Sequence, residues 1–230
     1  MPSYKIHIPF ALIMTLPFFP NVFLLSLALF GTSIIDFDNR IKENQIIIMF
    51  LIGIILGLIL YILNLPSIIG VILILLAIIF FISKHRGFMH SIFGIIAISV
   101  FLTAFSTGFY LLLVDILSQK VILILLSIIL GFIVLNRKLL FIYLILMITG
   151  IYLTPEVSFN LYHIFGALFL GCLSHVTMDL FTSQGVSLFS PLSSRNYHKI
   201  SGLVILIAWA LLAIIYLFYR QNFFSLFYSG

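Results

Sequence analysis

The stretch Lys84-His85-Arg86-Gly87-Phe88-Met89-His90-Ser91 packs two histidines, a lysine and an arginine into one short segment of a chain only 7% of whose residues are charged. A second polar group, Ser174-His175-Val176-Thr177-Met178-Asp179, lies inside an apolar run, and Asp36-Phe37-Asp38 closes another. Imidazole nitrogen combined with carboxylate oxygen is a donor set of zinc, manganese and iron centres. Ionisable groups at membrane depth are costly and usually serve a function. The chemistry open to these residues is to hold a divalent ion and to use it.

Spacing sharpens the reading. His175 and Asp179 stand i, i+4, so on a helix they share one face. They read as two ligands, as a ligand with an acid/base partner, or as a buried His–Asp hydrogen bond that locks helix packing. His85 and His90 stand i, i+5, which on an unbroken helix separates them by about 140°. Gly87 permits a turn and Ser91 suits an N-cap, so both imidazoles can converge from a bend onto a helix N-terminus. Such a place favours anions, and Arg86 offers a fork for phosphate or carboxylate. The plainer reading is a basic turn that fixes topology and binds headgroups. Asp36 and Asp38 share a face only on extended backbone; they are a carboxylate pair for a hard ion, or solvated loop charge. With His7, the candidate metal ligands are His7, Asp36, His85, His90, His175 and Asp179. Arg86 is the candidate anion clamp and Asp38 the candidate general base. Such a set serves one ion with acid/base helpers, or two ions bridged by a carboxylate. The cofactor expected is a divalent metal ion, Zn or Mn, with one ion or two left open.

The elements that must carry these residues follow from composition. The chain has 230 residues, 63% of them hydrophobic, and a mean hydropathy of +1.35. Soluble domains are about 45–50% apolar and about 25% charged. The fold class expected is all-α, a polytopic integral membrane helix bundle of about seven or eight transmembrane segments. It forms a single transmembrane domain over 1–230, with the metal-site face made by the 36–45, 84–91 and 175–200 regions. The apolar segments run over 6–35, 45–64, 67–83, 91–118, 120–135, 139–154, 159–182 and 201–219. The first is broken by Pro17 and Pro20. It is either a kinked span or a re-entrant hairpin, and only the hairpin returns His7 to the site. The first run is too long for a cleavable signal peptide and lacks a small-residue exit.

Counting crossings places the clusters on one side. Two segments separate Asp36 from His85 and His90, and four more separate these from His175 and Asp179. His163 falls on the opposite side and reads as structural; His198 lies on the loop beside the site and is a weak ligand candidate. The site side also holds Arg40, Lys42, Lys84, Arg86, Arg137, Lys138, Arg195 and Lys199, against Lys120 and Arg220 opposite. Positive charge marks the cytoplasmic face, so the site is expected there, in the plasma membrane of a prokaryote. The net charge of +5 is a topology signal, and no nucleic-acid partner is expected. Cys172, the one cysteine, excludes an intramolecular disulfide and a thiolate cluster and reads as a packing residue.

Three motifs resemble a known family. His85-Arg86-Gly87-Phe88-Met89-His90-Ser91 resembles its H-R-G-[FL]-[TM]-H-S signature. Gly171 to Thr182 resembles G-x-L-S-H-x-x-x-D-x-x-T, and Gly185 to Pro191 resembles the G-V-x-L-x-x-P that follows. The family is described as membrane-bound, metal-dependent hydrolases, also called LexA-binding, inner membrane-associated hydrolases. His7 fits the family's N-terminal histidine. Asp36-Phe37-Asp38-Asn39 resembles its P-D-x-D-H element, with Ile35 in place of the proline and Asn39 in place of the histidine. The resemblance implies metal-dependent hydrolysis without naming a substrate. A site at headgroup level makes membrane lipid the natural partner and a lipid-like or anionic phosphoester the natural substrate. The rival readings are a non-catalytic metal-binding or metal-transporting membrane protein and a membrane lipid phosphatase of the phosphatidate type. The chain lacks the P-S-G-H and K-x6-R-P elements of that phosphatase, and a transporter would spread its ligands through the membrane depth.

Overall fold

A computed structural model describes residues 4–38, 43–83, 87–135, 137–154 and 159–228. Among them the eight apolar segments form α-helices, and the first segment forms two. These are α1 (Tyr4–Thr15), α2 (Val22–Ile34), α3 (Glu43–Ile62), α4 (Ile68–Ile82), α5 (Ile92–Leu113), α6 (Gln119–Val134), α7 (Arg137–Leu153), α8 (Leu161–Asp179) and α9 (Lys199–Tyr228). Four helices are long and apolar enough to cross a membrane: 44–62, 92–113, 161–179 and 199–220. The rest are shorter apolar helices. Exposed side chains on α3 and α9 are overwhelmingly Ile, Leu, Phe and Tyr, as lipid-facing surfaces require.

Pro17 and Pro20 turn the chain rather than kink it. Proline has no N–H and clashes with the preceding turn, and α1 stops at Thr15. Asn21 then caps α2, its side chain accepting from Phe23 N at 2.8 Å. The two helices form a hairpin. Its tip residue Phe19 meets His163 near the start of α8, with ring centroids 5.6 Å apart, while His7 and Thr32 at its open end both reach His175 near the end of α8. With 12 and 13 residues the helices are about 18–20 Å long, below the ~30 Å of a bilayer core. The break also frees carbonyls. Phe18 N donates to Thr15 O at 3.2 Å, and Met14 O is taken by the indole N–H of Trp209 on α9 at 2.9 Å. In an apolar bundle, where water cannot serve, that bond satisfies a group otherwise costly to bury.

The core lies between α2 and α8, which run parallel at close range; α7 and α6 flank α2, and α5 flanks α8. Close approach depends on missing side chains. A Cβ at Gly31 would lie 2.5 Å from Leu168 O, and one at Gly171 would collide with the Ala28 carbonyl. Small residues at such contacts drive helix association in membranes. Cys172 sits in the same seam, fully buried, with Sγ 3.3 Å from Gly31 O. Gly171→Ile is therefore expected to separate α2 from α8, an overpacking penalty of at least about 1–3 kcal/mol. Gly57→Ala adds a methyl at an ordinary 3.8 Å from Gly70 Cα and serves as control. Thermal melts in detergent should show a lowered midpoint for the first and none for the second.

Candidate metal centre

Four helix ends deliver the side chains. Asp36 follows α2 in a 3-10 turn, Ile35–Asp38. His90 ends a second 3-10 turn, Phe88–His90, just before α5. His175 and Asp179 occupy the last turns of α8, and His7 the first turns of α1. The His90 turn is fixed by Ser91, which caps α5 by accepting from Gly94 N at 3.0 Å and donates to Phe88 O at 2.7 Å. Only glycine fits at position 94, because a Cβ there would run into the Phe88 carbonyl. The loop after α8 closes over this turn. Val186 pairs with Tyr197 in an antiparallel bridge, and Ile92 N donates to Leu188 O at 3.0 Å. Val186 and Leu188, from the G-V-x-L stretch, are buried; that stretch is a structural plug.

The imidazole and carboxylate atoms face one another. His175 Nε2 lies 3.4 Å from Asp36 Oδ1 and 3.7 Å from Asp179 Oδ2. His90 Nε2 lies 3.4 Å from Asp179 Oδ2 and 3.8 Å from Asp36 Oδ1. His7 Nε2 is 3.9 Å from Asp179 Oδ1, and its ring stacks on that of His175 at 4.2 Å and 9°. Two sets of donors lie within mutual ligand range, His7–His175–Asp179 and Asp36–His90–His175.

These separations suit ion pairs and metal ligation alike. N–H···O bonds run at about 2.7–3.2 Å, and each separation above is longer. In a tetrahedral centre with bonds of about 2.0–2.1 Å, neighbouring donors stand about 3.3–3.4 Å apart. The His–Asp edges at 3.4–3.8 Å fall at or slightly above that value, and each of the two three-residue sets offers the beginnings of a site for a divalent ion. The tautomer suits it too. His175 Nδ1 is 2.8 Å from Thr32 O; a carbonyl only accepts, so Nδ1 carries the proton and Nε2 turns its lone pair to the cage. Metal-ligating histidines are held in this way.

Burial gives the cage a direction. The His90 side chain is wholly buried and that of Asp179 is 5% exposed, whereas Asp36 is 46% exposed. Asp36 is the mouth. An unpaired carboxylate as deep as Asp179 would be strongly unfavourable, and three imidazoles surround it.

Several residues named from sequence fall elsewhere. His85 and Arg86 lie outside the described residues. Asp38 ends the 3-10 turn, with its side chain outside them. That turn corrects one step of the sequence argument: its backbone is not extended, so i, i+2 spacing does not by itself give Asp36 and Asp38 a common face. His163 lies at the far end of α8, exposed and against Phe19. His198 packs beside Gly185 in the closing loop. The carbonyl of Thr32 escaped sequence reasoning, because a backbone acceptor leaves no residue-type signal.

Residues 8–228 match the family described as YdjM inner membrane protein. The chain belongs to this family. That settles the membrane-protein reading for nearly the whole chain, and the YdjM match runs from within α1 to the end of α9 and takes in the cage residues except His7. None of the curated proteins and none of the solved structures matches the chain. Within this YdjM chain the cage makes a sharp contrast between histidines. His175→Ala and Asp179→Ala are each expected to cut the zinc or manganese retained through purification by about tenfold or more, and His163→Ala to leave it unchanged. Elemental analysis of matched detergent preparations checks it.

Proposed function

We propose that this membrane protein is a metal-dependent hydrolase whose site opens at the cytoplasmic membrane surface and acts on a lipid or lipid-linked phosphoester. The observation that carries the reading is the gathering of His7, His90, His175, Asp36 and Asp179 at one end of an apolar bundle, at separations a bound ion could span. A transport path would instead need polar groups distributed along the helices. The loop and turn features that resemble the metal-dependent hydrolase signatures are the ones that shape this end.

A divalent Zn or Mn ion would supply a lowered pKa for water and a Lewis acid for the substrate oxygen. The chain's residues do the rest. His90, His175 and Asp179 provide a dry, pre-oriented set of donors, with Thr32 O holding the His175 tautomer. Asp36 stands at the mouth, where a substrate must pass. His85 joins the ligands by the sequence reading. Asp38 serves as general base, and Arg86 clamps the anionic group bidentately. A lipid substrate is favoured by a groove of about 440 Å³ beside the His90 turn. It runs from Ile78 and Ile82 on the apolar face of α4 to Ser83, Gly87 and Phe88. An acyl chain can lie along the apolar part while the headgroup reaches the turn.

Two measurements test the reading. With a lipid phosphoester in mixed micelles, chelation should abolish turnover and added Zn or Mn restore it. Arg86→Ala should keep the metal content yet lower turnover on the order of 10²-fold, the usual effect of removing one donor to a developing anion. An inert metal protein would respond oppositely: loss of ligands would unfold it, and Arg86→Ala would change nothing.

Orientation is tested separately. Cysteines at Ser3 and Ser229, in a Cys172→Ala background, should be labelled from opposite faces, with Ser3 cytoplasmic. The hairpin together with the excess of Lys and Arg at the site end requires this arrangement. Labelling of both from one face would mean that the first apolar segment spans the membrane and would strike His7 from the ligands, while Ser3 outside with Ser229 cytoplasmic would remove the cytoplasmic assignment.

A further inference from the structure

The proposed metal centre leaves the number of ions open, and the geometry around Asp179 bears on it. The two oxygens of this carboxylate face different partners. Oδ2 is 3.4 Å from His90 Nε2 and 3.7 Å from His175 Nε2, while Oδ1 is 3.9 Å from His7 Nε2. His175 can serve one ion only, because Nδ1 is committed to Thr32 O and Nε2 has a single lone pair in the ring plane. His7 and His175 are stacked within 9° of parallel at 4.2 Å between centroids. Lone pairs lying in two nearly parallel planes do not meet at one point. One ion shared by both rings would sit far out of plane for at least one of them. Two ions side by side, each in the plane of its own imidazole, would be separated by about the stacking distance. Paired metals in hydrolytic sites stand about 3.5–4 Å apart.

We propose that the site holds two divalent ions bridged by the Asp179 carboxylate, with His90, His175 and Asp36 on one ion and His7 on the other. The proposal rests on the metal-dependent reading and adds the role of His7. The two ions differ in character. The first has the set Asp36, His90 and His175, with Asp179 Oδ2 reaching its two imidazoles at 3.4 and 3.7 Å. The second has His7 Nε2 and Asp179 Oδ1 to hold it, because the His175 atom of the same donor group is committed to the first. Two protein donors are fewer than a closed structural centre uses, and catalytic centres leave a position to water or a substrate oxygen. Four positive charges exceed what Asp36 and Asp179 neutralise among the described side chains, which favours an anionic ligand. A phosphate-type oxyanion spanning both ions is the ligand class that meets this demand. The His7 ion is therefore the weaker of the two and is tightened by such an anion.

The probe is Mn²⁺ alone and then Mn²⁺ with inorganic phosphate, on the full chain in detergent. Equilibrium dialysis should give two ions per chain at saturation. Electron paramagnetic resonance should show the exchange-coupled multiline signal of a bridged pair, and phosphate should lower the concentration needed for the second ion several-fold. His7→Ala and His7→Gln should each keep one ion, lose the coupled signal and elute as wild type does. One ion per wild-type chain, with no coupled signal, overturns the two-ion proposal and leaves the metal-dependent reading intact. No ion at all overturns both. Two ions still coupled in a folded His7→Gln variant overturn the assignment of His7.

Discussion

A carboxylate in the interior of an apolar bundle has to be met by positive charge or hydrogen-bond donors, and Asp179 imposes that demand here. Its side chain is almost fully buried at the end of α8, where water cannot shield it. Much of the local architecture follows. Three imidazoles from three separate segments are directed at it, and the segments arrive by their ends. Helix ends are the economical places to put such groups, since a terminal turn can leave the apolar zone while the rest of the helix stays within it. The 3-10 turns at Ile35–Asp38 and Phe88–His90 are the local form of this solution. Each departs from regular α-helix to aim one ionisable side chain inwards.

The second constraint is how closely α2 and α8 must approach. His175 is oriented by the backbone of Thr32, and a carbonyl in a helix can be reached only when the helices nearly touch. Gly31, Ala28 and Gly171 permit that contact. The same contact carries Asp36 to His175, since Asp36 lies one turn beyond Thr32. Packing and site geometry are thus one problem. The hairpin then adds His7, provided α1 lies along α8. Trp209 contributes to this from α9, by taking the Met14 carbonyl that the proline break releases.

Much of this was legible in the sequence, for physical reasons that differ by feature. Apolar run length showed the helices, because a membrane leaves few alternatives to α-helix. The parity of the runs showed that Asp36, His90 and His175 share an end, and the structure places them there. The Pro17 and Pro20 break left two choices open, and the structure resolves them as a hairpin. The i, i+4 spacing placed His175 and Asp179 on one face. Less accessible were relations in which no side-chain type is diagnostic. The Thr32 carbonyl, the Gly31–Leu168 contact and the Gly94–Phe88 contact all involve backbone. The stacking of His7 on His175 depends on the rotation of α1 about its axis, which an almost uniformly apolar helix does not encode. Asp36 and Asp38 show the converse failure. A spacing rule suited to extended chain does not apply once the end of α2 tightens into a 3-10 turn.

The distribution of burial across the cage bears on the kind of metal site that is proposed. A structural ion is best served by donors that are all enclosed, because closure slows exchange and rigidifies the helices it joins. Here four donors are enclosed and one, Asp36, is half-exposed on a short turn. Such a residue can shift without disturbing α2 or α8, whose contact lies a turn below. A donor that can yield its position gives a reacting group somewhere to bind, while His175 and Asp179, locked on α8, keep the rest of the geometry. For the proposed hydrolase, a gradient from locked to yielding donors is the arrangement that turnover would use, in contrast to a rivet between helices. It also sets the direction of approach, from the mouth at Asp36 inwards, where a membrane-embedded substrate would present its polar group.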